Sequence, residues 1–215
     1  MNGNQLQIVL VDDHAVVRMG FKMLLESNPR MKVVAELDSG EAVNQYCNSH
    51  KPDVIIMDIS MPGMGGLEAI RRVKAKNDAL KVLVFTMHDS IAFVEKALAA
   101  GADGYVTKNN AANVLLEAVQ AVVQGRQWVD PALEWKVNAR PQDEKQGELS
   151  VLSRREFQIF CKYAEGRTTQ EIADDLSLSI KTVSNYQTQI KEKLGVHTTA
   201  DFVRIALAHG VVNVG

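Results

Sequence analysis

The sequence predicts an α/β protein, with a doubly wound parallel sheet of five strands, followed by a small all-helical domain. Between residues 7 and 124, short apolar segments rich in Val, Ile and Leu alternate with amphipathic segments. Such apolar runs are typical of strands buried on both faces of a parallel sheet, and the alternation implies right-handed β-α-β crossovers. Residues 150–209 carry helical periodicity and helix-capping signals instead.

Each strand of the first part is predicted from its own apolar run, at Gln7–Val11, Lys32–Leu37, Val54–Met57, Lys81–Phe85 and Gly104–Thr107. The amphipathic stretches that follow predict helices at Val16–Ser27, Gly40–His50, Leu67–Asn77, Ile91–Ala100 and Ala111–Gln124. The apolar period then disappears after Trp135 in a segment with Gly, Pro and polar residues. We therefore expect a first domain over 1–127, a linker over 128–148 and a second domain over 149–215.

The second part contains the signals of four helices. Ser153 and Glu156 form a capping-box pattern that opens the first helix, and Thr168 or Thr169 can cap the second. Ser179 can cap the third helix, which Gly195 ends. The last helix is expected from about Thr199 to His209. The short turn Ser177–Ser179 between the second and third helices predicts a helix-turn-helix.

Composition limits the class of protein. The net charge of the 215 residues is −2, and residues 149–215 hold eight Lys and Arg against seven Asp and Glu. This balance excludes a protein that coats nucleic acid by charge alone. The two cysteines have no partner motif, no apolar run approaches the roughly 20 residues of a membrane span, and Met1–Gln7 lacks a signal-peptide pattern. We expect a soluble cytoplasmic protein with no membrane partner.

Polar residues follow four of the predicted strands: Asp12 and Asp13, Asp58, Thr86, and Lys108. Ligands bind parallel α/β sheets outside the carboxyl ends of the strands, so these side chains should converge. Clustered carboxylates repel each other, and a bound Mg²⁺ would relieve that repulsion. Mg²⁺ also takes phosphate oxygens as ligands, so such a site could receive a phosphate. A carboxylate can accept a phosphoryl group, which Lys108 and Thr86 would stabilise. Taken singly, each acid also fits a solvated loop; the joint placement favours the pocket.

The first part resembles a response-regulator receiver domain in the stretches Val9–His14, Met57–Met64 and Gly104–Lys108. The resemblance implies a flavodoxin-like strand order of 2-1-3-4-5. A chemotaxis receiver is a known example of a doubly wound sheet with this order. It further implies that a sensor histidine kinase phosphorylates Asp58.

The same resemblance assigns the remaining roles in the pocket. The residues that it implies for Mg²⁺ binding are Asp13, Asp58 and the Ser60 carbonyl, with Asp12 assisting. Thr86 and Tyr105 would form a switch pair, in which Thr86 moves toward the phosphoryl group and the Tyr105 ring enters the vacated space. A half-buried aromatic that packs on the sheet is the alternative role for Tyr105.

The second part resembles the LuxR-type helix-turn-helix of the NarL/FixJ class, in Leu152–Glu156, Glu171–Ala173, Leu178–Ser184, Lys193–Val196 and Ala206–Gly210. The recognition helix would span about Ile180 to Lys193 and enter the major groove by its N-terminal part. The candidate DNA contacts are Lys181, Thr182, Ser184, Asn185, Gln187 and Thr188. Relatives often carry cationic residues at the positions of Ser184 and Thr199, and His at Tyr186, so weaker non-specific binding is expected here.

Three functions fit these patterns. The leading one is a phosphorylation-controlled regulator that dimerises and binds double-stranded promoter DNA. The second is an adaptor whose helical domain docks on another regulator without touching DNA. The third, a stand-alone enzyme, is disfavoured because the sequence shows no second catalytic set, so we expect only the phosphorylation and dephosphorylation chemistry of Asp58 itself.

Overall fold

The computed structural model describes residues 5–133 and 147–212. The chain divides into two compact units, one of Met1–Met87 with Ala97–Glu134 and one of His88–Lys96 with Trp135–Gly215. The segment His88–Lys96 thus groups with the C-terminal helices, although in sequence it lies between the fourth and fifth strands of the sheet. The predicted boundaries at 127 and 148 stay predictions.

The first unit is built on a parallel sheet with the strand order β2-β1-β3-β4-β5-β6. The strands are β1 (Leu6–Val11), β2 (Met31–Leu37), β3 (Val54–Met57), β4 (Lys81–Thr86), β5 (Gly104–Thr107) and β6 (Trp128–Val129). The α-helices that alternate with these strands along the chain are α1 (Ala15–Glu26), α2 (Gly40–Tyr46), α3 (Gly66–Lys76), α4 (Ile91–Ala99) and α5 (Ala111–Val123). The flavodoxin-like order of the five predicted strands is confirmed.

Burial explains the apolar runs. Every residue of β3 and of β5 is buried. Alternate strand residues such as Ile8, Ile56 and Phe85 pack with Leu115 and Val119 of α5 in one hydrophobic cluster. Side chains alternate across a strand, so the intervening residues face the opposite layer of helices. The polar residues that end these strands are thereby brought to one edge.

The number of strands was predicted wrongly. Trp128 and Val129, which the sequence pattern assigns to the start of the linker, form β6 and pair in parallel with Gly104 and Tyr105 of β5. A two-residue strand shows no period, and it follows a glycine-containing polar stretch, so the pattern gives no signal for it. Residues 131–133 are helical, and the rest of the predicted linker up to residue 146 lies outside the described residues.

The C-terminal helices are α6 (Arg154–Ala164), α7 (Thr169–Asp175), α8 (Ile180–Leu194) and α9 (Thr199–Ala208). Complete capping boxes begin three of them, with Ser153 and Glu156 at α6, Thr168 and Glu171 at α7, and Thr198 and Asp201 at α9. Ser179 caps α8, and Gly195 ends it in the left-handed conformation at φ 64°. The predicted helix-turn-helix is confirmed. Within 5–133 and 147–212, no helix is long and apolar enough to cross a lipid bilayer.

Glu156 links two of these helices. It is 3% exposed, and its Oε2 accepts hydrogen bonds from the Ser153 backbone N–H and from Lys193 Nζ of α8, both at 2.7 Å. Burial opposes the charged form, but the bonds from Lys193 and Ser153 outweigh it and hold the pKa of Glu156 below its ordinary value. The carboxylate therefore contributes stability above the unfolded pKa.

We expect Glu156→Gln to lower the free energy of unfolding at pH 7 by about 1–3 kcal/mol, because Lys193 loses a charged partner. Urea unfolding followed by helical circular dichroism measures this loss. The difference from wild type should vanish as the pH falls through the folded-state pKa of Glu156, since the wild-type carboxylate then becomes neutral too. Glu171, the exposed carboxylate of the α7 capping box, supplies the matched Glu171→Gln control. Equal losses in both variants would contradict the role of Lys193.

Candidate functional site

The carboxyl ends of β1, β3 and β5 bring the predicted acidic pocket together. Val11 and Met57 are paired across β1 and β3, and the Asp58 N–H donates to the Val11 carbonyl at 2.9 Å. Asp12 and Asp58, one residue beyond each strand, therefore lie side by side, and they are 1% and 2% exposed. The strand ends predict this juxtaposition correctly.

Lys108 bridges the two buried carboxylates. Its Nζ lies 2.5 Å from Asp58 Oδ2 and 2.5 Å from Asp12 Oδ2, and its side chain is 8% exposed. Burial alone would lower the pKa of Lys108, but Asp58 and Asp12 outweigh it and raise the pKa above its ordinary value. The ammonium is therefore a fixed positive charge at the position where phosphoryl oxygens would gather.

Thr86 and Ser60 lie on another side of Asp58. The Ser60 N–H donates to Asp58 Oδ1 at 2.9 Å, and the hydroxyl oxygens of Ser60 and Thr86 are 3.3 Å apart. Thr86 is fully buried at the end of β4. The expected Thr86 hydroxyl is thus placed next to the loop that follows Asp58.

Tyr105 occupies the same face of the sheet as Thr86. Thr86 pairs with Thr107 across β4 and β5, and Tyr105 precedes Thr107 by two residues, so alternation directs all three side chains to one side. Tyr105 is buried completely rather than by half. Its ring therefore already occupies an inward position, and the switch role remains a prediction.

The acidic cluster has the chemistry of a divalent cation site. Ligand atoms of Asp12, Asp13 and His14 lie within 4.8 Å of one another. Asp58 adds a third carboxylate, so the carboxylates of Asp12, Asp13 and Asp58 outnumber the one Lys108 ammonium that bridges Asp12 and Asp58. Hard carboxylate oxygens fit a hard cation, whereas the exposed His14 ring serves as a hydrogen-bonding neighbour, with Nδ1 3.0 Å from Asp13 Oδ1. The sequence by itself favours a surface or capping role for His14 over metal ligation.

Gly66 is a determinant of the pocket that the sequence reasoning missed. A Cβ added there would lie 2.3 Å from the Asp58 carbonyl oxygen and 2.5 Å from Ile59 Cα. Even an alanine would therefore push the backbone that carries Asp58. The run Gly65-Gly66 before the third predicted helix was the available signal, since glycine often marks a close backbone approach.

The predicted DNA contacts lie on α8. Lys181, Asn185 and Thr188 are exposed, while Thr182, Ser184 and Gln187 are partly exposed. Val183, Ile190 and Leu194 are buried on the opposite side, as the helical period predicts. The Thr182 hydroxyl lies 2.7 Å from the Ser179 hydroxyl at the helix cap, so it is partly engaged within the protein.

Comparisons with known proteins agree with both halves. Residues 8–120 match the response regulator receiver domain, and residues 150–206 match the bacterial regulatory proteins of the luxR family. The chain is 33% identical over 210 residues to the response regulator UvrY of Escherichia coli (strain K12), covering 97% of this chain and 96% of UvrY.

Two solved structures extend this similarity. RcsB from Salmonella enterica serovar Typhimurium, bound to promoter P1flhDC in the presence of the phosphomimetic BeF3⁻, is 27% identical with a TM-score of 0.71, covering 95% of this chain and 100% of that one. A structure of two RcsB dimers bound to two parallel DNAs is 27% identical with a TM-score of 0.61, covering 98% and 100%.

We expect Lys108→Met to tighten Mg²⁺ binding severalfold, because it removes the cation that competes for Asp12 and Asp58. A MgCl₂ titration followed by tryptophan fluorescence or calorimetry measures the affinity. Lys81→Met removes the same charge at the other end of the sheet, where Lys81 pairs with Asp103, and should leave Mg²⁺ binding unchanged. Weaker Mg²⁺ binding by Lys108→Met would show that the pocket does not balance charge in this way.

Proposed function

The chain belongs to the two-component response regulators that carry a LuxR-type helix-turn-helix domain, and from this premise we propose that phosphorylation of Asp58 controls its binding to promoter DNA. The receiver domain and the DNA-binding domain together make it a regulator of transcription. The observation that carries the proposal is the Lys108 ammonium between the buried Asp58 and Asp12 carboxylates. It provides an acceptor and its counter-charge in one pocket.

The phosphoryl donor is a sensor histidine kinase in this proposal. One Asp58 oxygen attacks phosphorus, the P–N bond of the kinase phosphohistidine breaks, and the released imidazole takes up a proton. Asp12, Asp13, Asp58 and the Ser60 carbonyl would hold Mg²⁺, which neutralises negative charge shared by the carboxylates and the phosphoryl oxygens. The chemistry stays confined to the phosphorylation and dephosphorylation of Asp58.

After transfer, the charge pattern around Asp58 changes. Lys108 no longer pairs with the unmodified Asp58 carboxylate and forms an ion pair with a phosphoryl oxygen instead. The Thr86 hydroxyl donates to another phosphoryl oxygen and leaves the vicinity of Ser60. The new charge biases the protein between two states, with Thr86 and Tyr105 as the switch pair.

The output of the switch is DNA binding by a homodimer in the cytoplasm. A two-fold dimer reads paired half-sites, and two domains together offset the modest charge of α8. Support comes from RcsB, which has been solved as dimers on DNA. The recognition residues are Lys181, Thr182, Ser184, Asn185, Gln187 and Thr188.

The phosphorylation proposal is tested by acetyl phosphate with Mg²⁺. Wild type should gain one phosphoryl group and bind a selected promoter fragment more tightly, whereas Asp58→Asn should do neither because a neutral amide replaces the nucleophilic carboxylate. Mass spectrometry measures the modification, and a gel-shift titration measures DNA affinity. Asp53→Asn, which changes an acid outside the pocket, is the control. A phosphorylation response retained in Asp58→Asn refutes the proposal.

The recognition helix is tested separately. Ser184→Ala with Asn185→Ala should weaken specific DNA binding by about 1–3 kcal/mol if these residues meet base edges, while phosphorylation by acetyl phosphate stays at the wild-type rate. Lys181→Ala should reduce the slope of log affinity against log salt by about 1 if it meets a phosphate.

Glu192→Ala, at an exposed position near the other end of α8, is the matched control for both variants. An adaptor that acts through another regulator would show no salt-sensitive affinity for any fragment and no effect of the double substitution.

A further inference from the structure

Asp130, directly after β6, is a buried carboxylate that the mechanism above does not use. It has no exposed surface. Its Oδ2 accepts from the Thr107 N–H at 3.0 Å and from the Thr107 hydroxyl at 2.7 Å. Its Oδ1 accepts from the Asn110 side-chain amide at 2.9 Å and from the Ala132 N–H at 3.0 Å. A buried charge is thus held by four uncharged donors.

Two of the donor residues, Thr107 and Asn110, flank Lys108 in sequence. Thr107 is the last residue of β5, and Lys108–Asn110 is the short 3-10 turn that follows it. Asp130 therefore binds Thr107, one residue before Lys108, and Asn110, two residues after it. The Asp130 N–H also donates to the Tyr105 carbonyl at 2.8 Å, which extends the β6 pairing to this point.

A simple helix cap does not account for this arrangement. Capping the helical residues 131–133 requires one oxygen, and the Oδ1 bond to the Ala132 N–H provides it. Both hydrogen bonds of Oδ2 come from Thr107, which belongs to β5. Burial disfavours a charge here, but the bonds from Thr107 and Asn110 hold the pKa of Asp130 below its ordinary value. The hydrogen bonds that stabilise the buried Asp130 charge therefore come largely from the residues on either side of Lys108.

We infer that Asp130 is a positioning residue for phosphoryl transfer, fixing the turn that carries Lys108 so that its ammonium meets the phosphoryl oxygens on Asp58. The inference rests on the proposed phosphorylation of Asp58. Asp130 touches neither the phosphoryl group nor Asp58, so it acts through Lys108. In this inference, the segment that includes β6 and Asp130, where the chain leaves the sheet, helps to build the pocket.

The first arm of the test is a double-mutant cycle on the full chain. The initial rate of phosphorylation by acetyl phosphate at saturating Mg²⁺ is measured for wild type, Asp130→Ala, Lys108→Ala and the double variant. We expect Asp130→Ala to lower the rate by about tenfold, as a misplaced group does. In the Lys108→Ala background the same substitution should change the residual rate by less than about twofold, because its target is gone.

The second arm keeps the fold intact. Thr107→Val deletes only the hydroxyl donor to Asp130 and should slow phosphorylation, whereas Thr107→Ser retains the hydroxyl and should restore the wild-type rate. Asp103→Ala is the matched control, since Asp103 accepts from Lys74, Lys81 and the Val82 N–H at the opposite end of β5. It should lower the melting temperature and leave the rate of the folded chain unchanged.

The outcomes separate the positioning role from the phosphorylation itself. Equal losses from Asp130→Ala in both backgrounds, or equal rates for Thr107→Val and Thr107→Ser, would overturn the positioning role while phosphorylation of Asp58 stands. A folded wild-type chain that acetyl phosphate does not modify would overturn the proposed function and this inference with it. If Asp130→Ala does not fold, the Thr107 pair alone decides.

Discussion

The rest of the pocket depends on the compensation of charge among Asp12, Asp58 and Lys108. Buried carboxylates at adjacent strand ends would repel each other, and one ammonium at 2.5 Å from both makes their proximity tolerable. The compensation is partial, because Asp13 adds a third carboxylate nearby. The residual negative charge suits a small divalent cation, and the fixed ammonium suits an incoming phosphoryl group. Parallel strands in this register are what place all these groups at one edge.

Backbone packing makes the same site narrow. The N-terminus of α3 approaches so closely that Gly66 has no room for a Cβ beside the Asp58 carbonyl. On the other side, Thr86 and Tyr105 are fully buried on one face of β4 and β5. A change of charge at Asp58 therefore acts on close-packed neighbours. Closely packed side chains change between discrete conformations and do not deform continuously.

Sequence reasoning found the residues that a strong local pattern marks. Asp12, Asp58, Thr86 and Lys108 each follow an apolar strand, so the pattern of residues alone was enough to predict that they converge. Ser60, Tyr105 and the strand order came from resemblance. The strand β6 could not be found, because its two residues carry no period. Asp130 looked like a linker residue before a proline, since its buried partners lie 20 to 23 positions earlier in the chain.

The late strand has a practical consequence for dividing the protein. A receiver fragment that stops at residue 127, as composition suggests, would lack Trp128 and Val129 on the edge of β5 and would leave the Thr107 hydroxyl and the Asn110 amide without their acceptor. Such a fragment exposes a strand edge and carries a loosened Lys108 turn. Exchanging output domains between regulators of this kind therefore requires a junction beyond Leu133, so that each receiver keeps its own last strand and its own aspartate.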